Sequence, residues 1–345
     1  YDYDNLLYIV AGEVAAAAGG APYETLVRRE VFEPLGMSRC QVGEWQRDVI
    51  GNVAQAHRRS GARNVPIRRD EPTVRATTMD AAGGIRCSLN DMLTWVRAWL
   101  KPETHWLSDE QREALWTPHT PMPVSVRQRA WNGTRFSAYG YGWRLADVDG
   151  KFSVSHTGSL SGMYSFVTLM PERKVGFVIL TNGEGDDART VLNQVLIKHY
   201  TTPTDSASIA QYAKSVEQEN DDAPADSEAP DTSSRRAVAR SEMGASLGIY
   251  RDPWFGEVSI CGHADRVRFR AVKSPLLDGD VMHVGQRLLV DWRDDRVDAE
   301  AWLVFPARTA RGKPEALTLA KVDPDADFSF DFEDLAFERV RDCPP

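Results

Sequence analysis

Apolar and polar positions alternate over Phe152-Ser153-Val154-Ser155, the period of a half-buried strand. Tyr164 to Met170 reads as a second strand and Val175 to Leu180 as a buried third, with Pro171-Glu172-Arg173-Lys174 as the turn between them. Together they predict an antiparallel meander. His156-Thr157-Gly158 stands at the end of its first strand, ahead of a turn of Ser159-Leu160-Ser161-Gly162. Upstream the period becomes helical. Leu6 to Ala18 is rich in helix formers, carries an apolar face of Leu7, Val10 and Val14, and stops at Gly19-Gly20. Pro22 suits a new helix start running to Phe32. Ser88-Leu89-Asn90-Asp91 has the form of a capping box, opening a helix with Met92, Trp95, Val96 and Trp99 on one face. Ala188 to Tyr200 predicts a helix that closes on the sheet.

Thr201 to Ala245 changes character. Asp205, Glu217, Glu219, Asp221, Asp222, Asp226, Glu228 and Asp231 dominate it, with Pro224 and Pro230. It offers little apolar area to bury, so residues 201–245 read as a flexible acidic linker with room for a short helix at Ser208 to Gln218. From Leu247 to Val340 short apolar runs recur: Val258-Ser259-Ile260, Val267-Arg268-Phe269, Leu288 to Trp292, Ala301 to Phe305 and Leu317-Thr318-Leu319. Asp278-Gly279 and Arg311-Gly312 punctuate them as turns. That is the pattern of a small all-β barrel or sandwich over residues 246–345. Trp254, Trp292 and Trp302 are expected to pack its core, with a ligand pocket as the alternative.

A length of 345 residues suits two domains, and 42% hydrophobic residues leave enough apolar surface for a core in each. The net charge of −9 argues against nucleic acid and anionic membrane surfaces as partners. Cys40, Cys87, Cys261 and Cys343 lack metal-ligand spacing; buried free thiols are expected, with one or two disulfides as the alternative. The histidines, His105, His119, His199, His263 and His283 among them, form no metal pattern either.

The chemistry gathers around His156-Thr157-Gly158. Gly158 lacks a Cβ, Thr157 offers a hydroxyl, and the Ser159 N–H is placed to stabilise an oxyanion, worth about 2.7–4 kcal/mol of barrier lowering. Tyr3-Asp4-Asn5 leads the first helix: a tyrosine can move a nucleophile's proton, and an asparagine can bind a substrate amide. The chain resembles the class C β-lactamase-related serine hydrolases, which include penicillin-binding-protein-like peptidases and esterases. Tyr3 to Tyr8 is similar to that family's Tyr-x-Asn helix start, and Val31 to Met37 to its Pro-Leu-Gly-Met turn. Ala82 to Ser88 is similar to its Gly-Gly loop, Tyr139-Gly140-Tyr141-Gly142-Trp143 to its Tyr-Gly-x-Gly-Trp strand, and Leu180-Thr181-Asn182 to the end of its sheet. The barrel resembles the lipocalin-like domain appended to some of these peptidases.

The resemblance implies a β-lactamase/transpeptidase-like α/β (α+β) domain over residues 1–200, an antiparallel sheet flanked by helices. It implies a periplasmic or secreted setting, homo-oligomers through the C-terminal domain, no cofactor, and attack on a peptide, ester or lactam carbonyl through an acyl-enzyme. Tyr3, Asn5, His156 and Ser159 would be catalytic, with Thr157 and Gly158 binding substrate; His57 is expected to be structural. One departure stands out. The family's nucleophile is the Ser of Ser-x-x-Lys, and no Lys here has a Ser three positions before it. A partial sequence is therefore expected, inactive by itself. A non-catalytic peptidoglycan- or peptide-binding or assembly protein on the same fold is the alternative.

Overall fold

A computed structural model describes the chain outside residues 2, 61–62, 68–69, 102–105, 161, 184, 205–207, 222–228, 295–296, 298, 306–315, 325, 327–329 and 345. His105, Asp222, Asp226, Glu228 and the expected turn at Arg311-Gly312 lie outside the described residues. Two compact units emerge, Tyr1–Asp222 and Ala223–Pro345.

The first unit is built on a six-stranded antiparallel sheet: β1 (Thr120–Met122), β2 (Ser137–Tyr139), β3 (Arg144–Val148), β4 (Lys151–Leu160), β5 (Met163–Met170) and β6 (Val175–Thr181). Each strand pairs with the next in sequence, so the expected meander is the centre of a larger one. β4 runs on through His156-Thr157-Gly158 to Leu160, so that triplet lies within the strand rather than at its end.

Two helices cover the sheet; α1 (Asn5–Gly19) packs instead against the single turn α2 (Asp80–Gly83). Side chains alternate across a strand, so Leu169 joins Val96 and Trp99 of α3 (Leu89–Leu100), while Met170 joins Ile197 of α4 (Asp186–Thr201). The α3 side is an aromatic stack, with Trp95, Trp116 and Trp143 at 5.3–5.9 Å from one another or from Trp99. Ser88 caps α3 by accepting from the Asp91 N–H. The box is only half made, because Asp91 accepts instead from the Arg39 N–H, tying down the Pro-Leu-Gly-Met turn.

The expected apolar face of α1 is apolar but not buried: Leu7 is 66% exposed and Val14 62%, with Leu6 and Val10 also open. Gly20 ends α1 in the left-handed conformation. A further helix follows Pro22 as expected, though it continues from Val27 as a π turn over Arg28–Phe32.

The segment expected as linker is shorter than 201–245. Ile209–Asp221 forms α5, because Tyr212 and Val216, one helical turn apart, bury against Val191 of α4 while Glu217 and Glu219 face out. At its other end Arg236–Ala237 pairs with a barrel strand, and Val238 is fully buried.

The second unit is a closed eight-stranded antiparallel barrel: β7 (Gly248–Asp252), β8 (Gly256–His263), β9 (Arg266–Ala271), β10 (Asp278–Val284), β11 (Arg287–Trp292), β12 (Ala301–Val304), β13 (Ala316–Lys321) and β14 (Ala336–Arg341). β14 pairs back onto β7, which removes the open edges. Asp278-Gly279, expected as a turn, lies inside β10; a Cβ on Gly279 would come within 2.6 Å of the Asp291 carbonyl oxygen, so glycine serves close strand approach there. Tyr250, Phe269, Phe337 and Trp292 fill the interior, and Trp302 is buried in a second cluster. Trp254 departs from expectation, standing 91% exposed at the β7–β8 turn.

The expected free thiols are corrected. Cys40 is bonded to Cys87 and Cys261 to Cys343, and no free cysteine remains. Pairs separated by 47 and 82 residues have no local signature; folding brings them together. A two-way backbone bridge between Gln41 and Arg86 aligns the first pair, and the chain end beyond β14 lies against β8 for the second.

Candidate active site

Tyr3 and His156 come from opposite ends of the domain's sequence and meet in space, ring centroids 5.9 Å apart. Asp4 makes this geometry local. Its carboxylate accepts from the Leu6 N–H at 2.7 Å, caps α1, and so fixes the entry of the chain at Tyr3. Tyr3 lies 6.0 Å from Tyr8, in the opening turn of α1, and edge-on to Tyr139 of β2 at 6.2 Å.

His156 is held at both ring nitrogens. Nδ1 lies 2.6 Å from the Thr157 carbonyl oxygen, which only accepts, so Nδ1 carries the proton. Nε2 is then the bare nitrogen and accepts from the Tyr139 hydroxyl at 2.7 Å. Tyr139 in turn accepts from the Tyr8 hydroxyl at 3.2 Å. Burial, reinforced by the neighbouring Arg144 guanidinium, lowers the imidazole pKa to about 4, outweighing the Thr157 bond that raises it. His156 is therefore a neutral ring at physiological pH. Burial also raises the Tyr3 phenol above its ordinary value, with Tyr8 adding to the rise and Arg144 opposing it. Burial and its tyrosine neighbours push Tyr139 up further still.

Two arginines flank β4, and neither was singled out in the sequence. Arg144 of β3 donates from Nη1 to the Thr157 hydroxyl at 3.0 Å, while its Nε is buried without a partner among the described residues. Arg189 of α4 donates to the Gly158 carbonyl and to Ser159 Oγ. Their signal was weak: Arg144 directly follows the Tyr-Gly-x-Gly-Trp stretch, but only register places it opposite Ser155, two residues from Thr157.

Glycines shape the walls by size more than by backbone freedom. Gly83 and Gly84 both have negative φ. A Cβ on Gly84 would fall 2.2 Å from Asp80 Oδ1, and one on Gly83 within 3.5 Å of Leu160 at the end of β4. A Cβ on Gly158 would fall 2.4 Å from Ser165 Oγ. Ser159 is exposed beside them. Asn5 opens α1, half-buried, and makes no side-chain hydrogen bond to other members of the site among the described residues. His57 donates from Nδ1 to the Asn182 carbonyl, 3.0 Å away, and its backbone N–H donates to the Gly162 carbonyl, tying the β4–β5 turn to the end of the sheet.

Residues 1–201 match the Beta-lactamase family. The chain belongs to that family. The unguisins hydrolase ungD' of Aspergillus campestris is a relative, 24% identical over 200 residues, covering 58% of this chain and 36% of its own length. The D-alanyl-D-alanine-carboxypeptidase/endopeptidase AmpH of Escherichia coli strain K12 is 23% identical over 190 residues, covering 52% of this chain and 44% of its own. The chain thus spans under half the length of these curated relatives. The octameric penicillin-binding protein homologue from Pyrococcus abyssi shares the fold at a TM-score of 0.51 and 16% identity, over 98% of this chain and 64% of that one.

Proposed function

We propose that this chain carries the proton-transfer and substrate-binding half of a serine acyl hydrolase. The observation that carries it is the meeting of Tyr3 with the half-buried His156, whose strand runs on through Thr157, Gly158 and Ser159. Tyr3 moves the proton of the nucleophile and later that of the attacking water. The Ser159 N–H receives the oxyanion. Asn5, at the start of α1, binds the substrate amide. Thr157 and Gly158 line the strand along which substrate lies. A neutral His156 cannot hold a carboxylate by charge, so it orients the tyrosines, and Arg144 supplies the cation beside Thr157.

The nucleophile comes from a segment outside these residues. The exposed apolar face of α1, Leu6, Leu7, Val10 and Val14, supports this, since a helix that is apolar there needs a cover. An amide substrate is favoured by the relatives named as hydrolases of unguisins and as a carboxypeptidase/endopeptidase. Two disulfides fit an oxidising setting, periplasmic or secreted. Assembly through the barrel belongs to the same proposal: the Pyrococcus abyssi homologue is octameric, and Trp254 is an exposed apolar contact. Hydrolysis by the protein with its N-terminal neighbouring sequence tests the reading. Tyr3→Phe is expected to lower kcat by about 10²–10⁴; full turnover in that variant rejects the role of Tyr3. Specific peptide binding without turnover in either protein favours a non-catalytic binding protein.

A further inference from the structure

Arg189 is 7% exposed, yet it is a cation held mainly by neutral oxygens. Its Nη1 donates to the Gly158 carbonyl, to Ser159 Oγ at 3.0 Å and to the Ser165 carbonyl at 3.3 Å. Its guanidinium carbon lies 5.0 Å from the Tyr164 ring centroid. Asp186, 3.9 Å away, is itself 63% exposed and so a weak counter-charge. Burial lowers the Arg189 pKa, the mark of lost hydration. A neutral amide side chain could also donate to a strand carbonyl without that loss, so cross-linking α4 to the sheet does not by itself call for a charge.

The carbonyl it holds belongs to the same peptide unit as the Ser159 N–H. That unit is trans, so its C=O and N–H point in opposite directions. Arg189 fixes the oxygen on the β5 side, where it also reaches Ser165. The Ser159 N–H is thereby turned to the other side. There the β3 ladder has already ended, at the Arg144–Ser155 pair, and leaves that side without a strand partner among the described residues. Positive charge on a peptide oxygen draws density through the amide and strengthens its N–H as a donor, as in any polarised hydrogen-bond chain.

We propose that Arg189 is a positioning residue for the oxyanion donor, aiming and polarising the Gly158–Ser159 peptide from behind. The inference rests on the reading of Ser159 as that donor, and the test separates the two. Its first arm uses the 345-residue chain labelled with ¹³C and ¹⁵N, and reads the Gly158 carbonyl and Ser159 amide resonances. Arg189→Gln keeps a donor and removes the charge; Arg189→Lys keeps the charge. Both resonances are expected to move upfield in Arg189→Gln and to return most of the way in Arg189→Lys. Equal shifts in the two variants, or unmoved resonances in Arg189→Gln, overturn the polarisation. If Arg189→Gln does not fold, Arg189→Lys decides: resonances displaced from wild type overturn it and resonances preserved support it. The second arm uses the whole protein. Arg189→Gln is expected to lower kcat about tenfold with KM within about twofold, rescued by Arg189→Lys. A moved Ser159 amide with unchanged kcat overturns the oxyanion role of Ser159, and with it the positioning.

Discussion

The Tyr139 hydroxyl donates to Nε2 of His156 across 2.7 Å, and with Nδ1 turned to Thr157 this bond fixes the tautomer of a ring that burial and Arg144 keep neutral. An unfolded histidine takes its proton near 6.5, whereas folded His156 takes one only near 4. The stability it contributes is therefore full above pH 6.5 and is lost as the pH falls towards 4, by about 3 kcal/mol at most. Melting temperatures of wild type and His156→Gln between pH 4 and 7 check this. The wild-type curve should fall more steeply on the acid side; parallel curves would remove His156 as the acid-labile group.

The two disulfides close loops of 47 and 82 residues. Chain-entropy reasoning gives each about 4 kcal/mol through the unfolded state. Each paired Cys→Ala variant should lower the denaturant midpoint without altering far-ultraviolet circular dichroism. An unchanged midpoint would place the stabilisation elsewhere.

Gly158→Ala brings a methyl group to 2.4 Å from Ser165 Oγ. A loss of about 1–3 kcal/mol is expected from overpacking. Ser165→Ala removes the clashing oxygen, so the double variant should recover most of the loss, a coupling readable in a double-mutant cycle. Additive losses would point to backbone strain instead.

α5 is docked by Tyr212 and Val216. Tyr212→Ala should cost about 2–4 kcal/mol of that docking and raise hydrogen exchange over 209–221 while the sheet stays protected. Unchanged exchange there would show that α5 does not depend on this contact.

Periodicity carried the fold a long way. The alternation at Phe152–Ser155 located β4, and the short runs after Leu247 located the barrel, because burying one face of a strand writes a period of two into local sequence. Ordered short motifs also pointed to Tyr3, His156 and Ser159. Pairings set by distant register left no such trace. Cys40 with Cys87, Arg144 on Thr157 and Arg189 behind Gly158 each join segments whose approach only the completed sheet defines. The short helix allowed at Ser208 to Gln218 exists as α5 inside a segment whose acidic composition read as linker, since two buried residues, Tyr212 and Val216, are enough to dock it. The open face of α1 shows the converse: an apolar stripe records that burial is needed, not which segment provides it.

The most direct test of the acyl-hydrolase assignment is intact-protein mass spectrometry after treatment with a fluorophosphonate or benzylpenicillin. Two proteins are compared: residues 1–345, and the same protein with its N-terminal neighbouring sequence. One adduct, on a serine of that added segment, is expected in the longer protein, and none on residues 1–345. An adduct on a serine within residues 1–345, or no adduct on the longer protein, would contradict it.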